Sequence, residues 1–226
     1  MARRIKTPIR SRSLSRRLYQ IFAGEHHRDV KRGVVGLSAL FEDLRIEIAG
    51  ITARRISKLD ETSRRMREYY FLRRSFGTLY EFAEVVEELD HCDGFTEVKS
   101  QIKPRLLIDW TEAVAYFAAR KAAIERVRSN VGGHFGKRAA KLAIRNLMSE
   151  DAGTIEVAEY RSGGGVKLGF ASTLAGVALV HSVRGDEGME TKVKELFKLS
   201  LEAKTHAVRA VECLAATYLW KRFELG

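Results

Sequence analysis

Apolar residues recur every three or four positions along several long stretches of the chain, which is the spacing of one face of an α-helix. The first stretch runs from Asp29 to Ile51, and the opposite face of this predicted helix carries Glu42, Arg45 and Glu47. Its apolar positions are Val34, Leu37, Phe41, Leu44, Ile48 and Ile51. The pattern therefore predicts a long amphipathic helix over these residues.

Two further long helices follow from the same spacing. One begins after Asp60, which suits an N-cap, and ends at His91 before the stop signal of Asp93 and Gly94. Its apolar positions are Tyr69, Leu72, Phe76, Leu79, Ala83, Val86 and Leu89. The other is predicted to begin at Asp109, which would form a capping box with Glu112. Its apolar side holds Trp110, Val114, Phe117, Ile124 and Val127.

The second half of the chain shows two kinds of apolar spacing, the three- or four-residue repeat of a helix and the two-residue alternation of a strand. A helix is predicted from Phe135 to Met148, with Ala139, Leu142, Ile144 and Leu147 as its apolar positions. Residues 154–170 instead alternate apolar and polar side chains around a Gly-rich centre, which indicates a β-hairpin. Residues 174–183 suit a short buried helix, and residues 190–223 a long one. The apolar face of the long one holds Val193, Phe197, Leu201, Val208, Val211 and Tyr218.

These elements predict a mainly all-α fold, a bundle of five to seven helices with one small β-hairpin insert. The chain has 226 residues and only two prolines, Pro8 and Pro104, which suits long uninterrupted helices. We expect a basic arm over residues 1–24 and a single helical domain over residues 25–226. The apolar helix faces fit either the core of one chain or, at their heptad-like spacing, a homodimer interface.

Charge is concentrated at the N-terminus. The formal net charge is +11, and residues 1–24 hold seven Lys and Arg and no acid, so this segment supplies +7. Such an arm can bind phosphate backbones or an anionic membrane, serve as a transit peptide, or simply remain a solvated tail. The arginines in it that we take as nucleic-acid contacts are Arg3, Arg4, Arg10, Arg12, Arg16 and Arg17.

The two cysteines, Cys92 and Cys213, exclude a disulfide scaffold and a four-cysteine zinc site. No stretch approaches the roughly 18 apolar residues of a transmembrane helix, and no signal-peptide core is present. We therefore expect a protein without a transmembrane segment, located in the cytoplasm.

In the segment RVRSNVGGHFG five residues separate Arg128 from His134, which lie at a predicted helix end and across a Gly-Gly turn. This resembles the Arg-x(4–6)-His motif of the HEPN superfamily, small helical bundles often found as ribonucleases and toxins. In that family a polar residue commonly follows the arginine, and Ser129 holds this place here. The structural alternative is a helix–turn–helix joint in which Gly132 or Gly133 caps the first helix.

The resemblance implies metal-independent cleavage of RNA without a cofactor. His134 would then act as a general base or acid at the ribose 2′-hydroxyl, and Arg128 would stabilise charge on the scissile phosphate. The family often pairs its motifs across a homodimer, which would bring two copies of each residue into one cleft. The length of the chain, its hairpin and the glycines before His134 depart from the compact family pattern.

Two other clusters have both a functional and a structural interpretation. One cluster consists of four arginines with three aromatic residues between them: Arg64, Arg65, Arg73 and Arg74 with Tyr69, Tyr70 and Phe71. The arginines can contact phosphates while the aromatic rings stack on the bases of a single-stranded nucleic acid. Alternatively, the arginines form a solvated face and the aromatic side chains belong to the core. Glu88 and His91 have the i, i+3 spacing of a di-iron ligand pair, but a second pair is missing. We expect no metal there, and a polar helix end instead.

Three hypotheses follow. The first is a HEPN-like protein that cleaves or binds RNA, with an endoribonuclease as its enzymatic form. The second is a non-enzymatic nucleic-acid-binding protein that uses the arm and the arginine clusters. The third is a dimeric interaction or scaffold protein.

Overall fold

The computed structural model describes residues 27–52, 61–131, 137–153, 155–160, 163–168, 170–183, 185 and 187–219. In this part of the chain there are seven α-helices, which confirms the all-α prediction. The elements are α1 (Arg28–Thr52), α2 (Glu61–His91), α3 (Asp93–Ser100), α4 (Pro104–Val131), α5 (Lys137–Arg145), β1 (Ile155–Tyr160), β2 (Gly163–Leu168), α6 (Phe170–Val180) and α7 (Met189–Leu214). A π-helical turn, Ala215–Leu219, continues α7. The predicted arm, Asp60 and residues 220–226 lie outside the described residues.

The predicted apolar faces of the long helices meet in a core formed within this chain. Helix α2 packs against α1 and α4, and α4 packs in turn against α7. Phe82 of α2 and Phe117 of α4 are fully buried, with their ring centroids 5.3 Å apart. Large aromatic side chains of this kind supply much of the apolar area that stabilises a bundle. Other fully buried side chains are Leu37, Leu44, Leu72, Phe76, Leu79, Leu89 and Ile124.

Helices α1 and α2 approach closely at Gly50. A Cβ atom at this position would lie 2.5 Å from the Phe71 ring, closer than real side chains come. The absence of a side chain at Gly50 therefore lets the ring of α2 lie directly on the backbone of α1.

The predicted start of α4 at Asp109 is wrong. The helix begins at Pro104, and the predicted stop signal at Asp93 and Gly94 is instead the first turn of the short helix α3. Proline suits the first position of a helix, because the amide hydrogen that it lacks would have no partner there. Pro104 therefore begins α4, and Asp109 lies within the helix.

Two predicted core faces also need correction. In α5 the buried residues are Ala139 and Ala143, whereas the side chain of Ile144 is 65% exposed. Leu201 of α7 is 49% exposed. The buried side of α7 consists mainly of small residues, so large apolar side chains were a poor guide to it. The small buried residues are Ser200, Ala203, Ala207, Ala210 and Cys213, beside Lys192, Leu196 and Leu214.

Strands β1 and β2 pair antiparallel in a two-stranded sheet. The register pairs Ile155 with Leu168 and Tyr160 with Gly163. Within the described ranges, no helix is both long and apolar enough to cross a membrane.

Candidate functional site

Arg128 lies in the last turn of α4 with its side chain exposed. Its guanidinium carbon is 4.4 Å from the centroid of the Tyr80 ring of α2. A guanidinium stacked on an aromatic face gains cation–π attraction while its N–H groups remain available to a ligand. Tyr80 therefore holds Arg128 in a defined position at the end of its helix.

Arg128 and Ser129 form one wall of a cleft of about 320 Å³ between α1, α2 and α4. Arg74, Gly77 and Thr78 of α2 form the opposite wall. The remaining lining residues are Leu40, Asp43 and Glu81. The predicted catalytic residue Arg128 and the predicted nucleic-acid contact Arg74 thus share a cleft although they are 54 positions apart in the chain. The volume lies within the range of small-molecule sites.

Glu47 lies next to this cleft and is only 6% exposed, so its predicted position on the polar face of α1 is wrong. The Thr78 hydroxyl donates a hydrogen bond of 3.0 Å to its Oε1, and Arg74 Nε lies 3.6 Å from the same oxygen. Burial raises the pKa of Glu47 from 4.5 to about 7, against the opposing effects of Thr78 and Arg74. Its second oxygen, Oε2, is buried without a hydrogen-bond partner among the described residues.

The four predicted arginines of α2 do not form one surface. Residues nine positions apart on a helix, such as Arg64 and Arg73, point about 180° away from each other. Arg64 and Arg65 are exposed and both pair with Glu61, Arg65 at 2.9 Å. Arg73 is only 6% exposed, so its side chain offers little surface to a phosphate. Arg74 is the member of the set that reaches the cleft.

Several predicted site residues lie outside the described residues: His134, Gly132, Gly133 and the arginines of the N-terminal arm. The structure therefore describes the Arg128 half of the Arg-x5-His motif.

A second groove, of about 350 Å³, separates α4 from α7. The ring of His206 stacks on Tyr116 near this groove, with 4.2 Å between centroids. Burial and the nearby Arg209 lower the pKa of His206, so the ring is neutral at pH 7. The Tyr116 hydroxyl donates to the Leu199 carbonyl oxygen at 3.3 Å. This stack contributes to packing between α4 and α7.

At the end of α2, His91 of the Glu88 and His91 pair makes a hydrogen bond within its own helix. His91 Nδ1 donates a hydrogen bond of 2.8 Å to the carbonyl oxygen of Glu87. Across the residues that the structure describes, no group of three or more His, Cys, Asp or Glu side chains is arranged to hold a metal ion. Both cysteines are free, and burial raises the pKa of Cys213 to about 11, which keeps its thiol protonated and unreactive.

Chemically, the cleft between α1, α2 and α4 combines two cations with hydrogen-bond acceptors. Arg74 and Arg128 can bind a phosphate, since guanidinium N–H groups match its oxygens. Asp43 and Glu81 can accept hydrogen bonds from hydroxyl or amino groups of the same ligand. This combination suits a single nucleotide unit better than a long stretch of phosphate backbone.

Comparison with known proteins yields no match: no family model, curated protein or solved structure is similar to this chain.

Proposed function

We propose that this chain is a HEPN-like, metal-independent endoribonuclease that binds one nucleotide of an RNA strand in the Arg128 cleft. The observation that carries the proposal is the position of Arg128, exposed, held by Tyr80 and facing a cleft that Arg74 also lines. The proposal places the protein in the cytoplasm, where RNA is abundant.

In the proposed reaction, the ribose 2′-oxygen attacks the adjacent phosphorus and the bond to the 5′-oxygen breaks. His134 takes the proton of the 2′-hydroxyl, and the leaving 5′-oxygen gains a proton. Arg128 stabilises the negative charge that builds on the phosphate oxygens. The products carry a 2′,3′-cyclic phosphate and a 5′-hydroxyl, and DNA is not cleaved because it lacks the nucleophile.

The carboxylates of the cleft support recognition of RNA rather than of phosphate alone. Asp43 and Glu81 line the same cleft as the two arginines. A ribose hydroxyl can donate to either carboxylate, whereas a bare phosphate would be repelled by both. Ser129, exposed at the rim, offers one more hydrogen-bonding group beside Arg128.

Changing Arg128 to Ala or His134 to Ala is expected to lower the rate of RNA cleavage at least about 100-fold, because each removes a group that acts in the transition state. The measurement is cleavage of a labelled single-stranded RNA with EDTA present, beside a DNA of the same sequence. Circular dichroism should show unchanged helicity in both variants.

Arg126→Ala is the matched control, because Arg126 belongs to the same helix but lines the groove between α4 and α7. It should cleave at the wild-type rate. Equal cleavage by all four proteins would reject the proposal that Arg128 and His134 carry the reaction. RNA binding without cleavage by the wild type would instead favour the non-enzymatic nucleic-acid-binding hypothesis.

The proposal includes a homodimer that brings two motifs together. Light scattering at increasing protein concentration is expected to give twice the mass of the 25.5 kDa chain. A mass that stays at 25.5 kDa while cleavage persists would remove the dimer from the proposal.

A further inference from the structure

Helix α5 presents a cationic face that lacks acidic partners. Lys137, Lys141 and Arg145 repeat at four-residue spacing, so their side chains lie along one side of the helix. Arg138 lies three residues before Lys141 and borders the same side. All four are exposed, and within the described ranges no acidic side chain pairs with any of them. Elsewhere on the surface, cations such as Arg32, Arg45 and Lys194 pair with an acid on their own helix.

The same face carries exposed aliphatic side chains. Ile144 follows Lys137 by seven residues, which places both on one side of α5, and it is 65% exposed. Just beyond the helix, Leu147 is 43% and Met148 60% exposed. The opposite side of α5, Ala139 and Ala143, is buried against the bundle. The helix is therefore held in place with its cationic and aliphatic side outward.

Cations mixed with aliphatic side chains match the surface of an anionic bilayer. Lipid headgroups there attract Lys and Arg, and apolar side chains insert at the boundary with the acyl chains. A nucleic-acid backbone would use the cations but gains little from Ile144, Leu147 and Met148, because bases stack on aromatic or guanidinium planes. The aliphatic side chains thus favour the membrane as the partner.

Acidic residues nearby reduce this charge only in part. Glu150 and Asp151 follow the helix, and Asp151 accepts a hydrogen bond of 2.8 Å from the Met148 backbone amide. Residues 137–151 keep four basic and two acidic side chains, a net charge of +2. The N-terminal arm, residues 1–24, is itself basic, so its charge is not complementary to that of this face.

We infer that the outer face of α5, together with Leu147 and Met148, is a membrane-docking surface that binds anionic phospholipid headgroups. This binding lies beyond the proposed cleavage of RNA and does not depend on it. It is peripheral, since the aliphatic side chains reach only the interfacial region of the bilayer.

The test is co-flotation of the full chain with phosphatidylcholine vesicles, with and without about 30% phosphatidylserine, a typical anionic surface. The wild type should float with the vesicles that contain phosphatidylserine and should not float with those of phosphatidylcholine only. Changing Lys137, Arg138, Lys141 and Arg145 together to Gln should lower the partition coefficient roughly 600-fold, since each such cation contributes about fivefold and the four factors multiply.

A matched variant removes the same charge elsewhere. Arg32, Arg45, Lys194 and Lys198 are exposed and paired with acids on their own helices, so changing these four to Gln should leave flotation near the wild-type value. Equal losses in the two four-residue variants would show a response to net charge alone and overturn the inference. Absence of flotation of the wild type would overturn it as well.

Substitution of the aliphatic side chains distinguishes binding to a membrane from binding to a nucleic acid. Ile144→Asn with Met148→Asn should weaken flotation at least tenfold and leave binding to a labelled RNA unchanged. Vesicle binding that survives this double variant would overturn the inference and mark the face as a cation surface for nucleic acid. Circular dichroism and thermal unfolding should show that every variant is folded, and the exposure of the changed residues makes this the expected result.

Discussion

Replacing Trp110 with Ala is expected to lower the free energy of unfolding by about 3–5 kcal/mol, the range for large aromatic residues in a core. Trp110 of α4 is 1% exposed, and its ring centroid lies 4.8 Å from that of Phe95 in α3. Its indole N–H donates a hydrogen bond of 2.7 Å to Asp90 at the end of α2. One side chain thus joins three helices, so its loss leaves a cavity where they meet.

A second substitution of Trp110 separates the loss of its hydrogen bond from the loss of its packing, and a substitution of the exposed Ile108 serves as the control. Trp110→Phe keeps much of the ring volume but removes the donor to Asp90, which retains its 2.6 Å ion pair with Lys99. We expect it to cost about 1–2 kcal/mol, the scale of one hydrogen bond plus a small packing loss. Ile108→Ala, at a position 59% exposed on the same helix, should cost less than about 0.5 kcal/mol.

Urea unfolding followed by circular dichroism measures all three variants. Tryptophan fluorescence would not serve, because Trp110 is one of only two tryptophans in the chain. A loss for Trp110→Ala no larger than that for Ile108→Ala would contradict the burial of Trp110 and its contacts with Phe95 and Asp90.

The position of a helix could be predicted from the sequence where that helix buries one continuous apolar stripe. The predicted first helix, residues 29–51, differs from α1 by one residue at each end, because its apolar positions keep a strict three- and four-residue spacing. Glu47 could not be placed correctly in the same way. Helix α1 contacts both α2 and α7, so it buries a wider arc than the stripe shows.

The candidate site shows a different limit. Its motif predicted Arg128, because a short pattern lies within one stretch of chain. Tyr80, Asp43 and Arg74 come from two other helices, and only the packing of α1 and α2 against α4 brings them near Arg128. A sequence pattern carries no record of such long-range neighbours. The raised pKa of Glu47 likewise depends on burial that no local spacing predicts.

Changing Glu47 to Gln is expected to stabilise the fold at pH 8 by about 3 kcal/mol relative to the wild type, and by almost nothing at pH 4.5. The pKa of this carboxyl is about 7 in the folded chain and 4.5 when it is solvated, so the folded state holds the proton more tightly. The contribution of Glu47 to the free energy of unfolding is therefore fully present below pH 4.5. This contribution declines as the pH rises and is lost above pH 7, where the buried carboxyl must ionise.

Glutamine suits this test because it removes the charge and retains the contact. Its side-chain oxygen can still accept the hydrogen bond from the Thr78 hydroxyl, as Glu47 Oε1 does at 3.0 Å. Glu81→Gln is the control, since Glu81 lines the same cleft but is exposed. Its stability relative to the wild type should change by less than about 0.5 kcal/mol across the pH range.

The measurement is urea unfolding of the wild type and both variants at intervals from pH 4.5 to pH 8. The difference between Glu47→Gln and the wild type should grow steadily over this window and level off above pH 7. A constant difference would mean that Glu47 titrates alike in the folded and unfolded states, which contradicts its burial. A difference of the opposite sign would mean that the pairing of Glu47 with Arg74 outweighs the cost of burying the carboxylate.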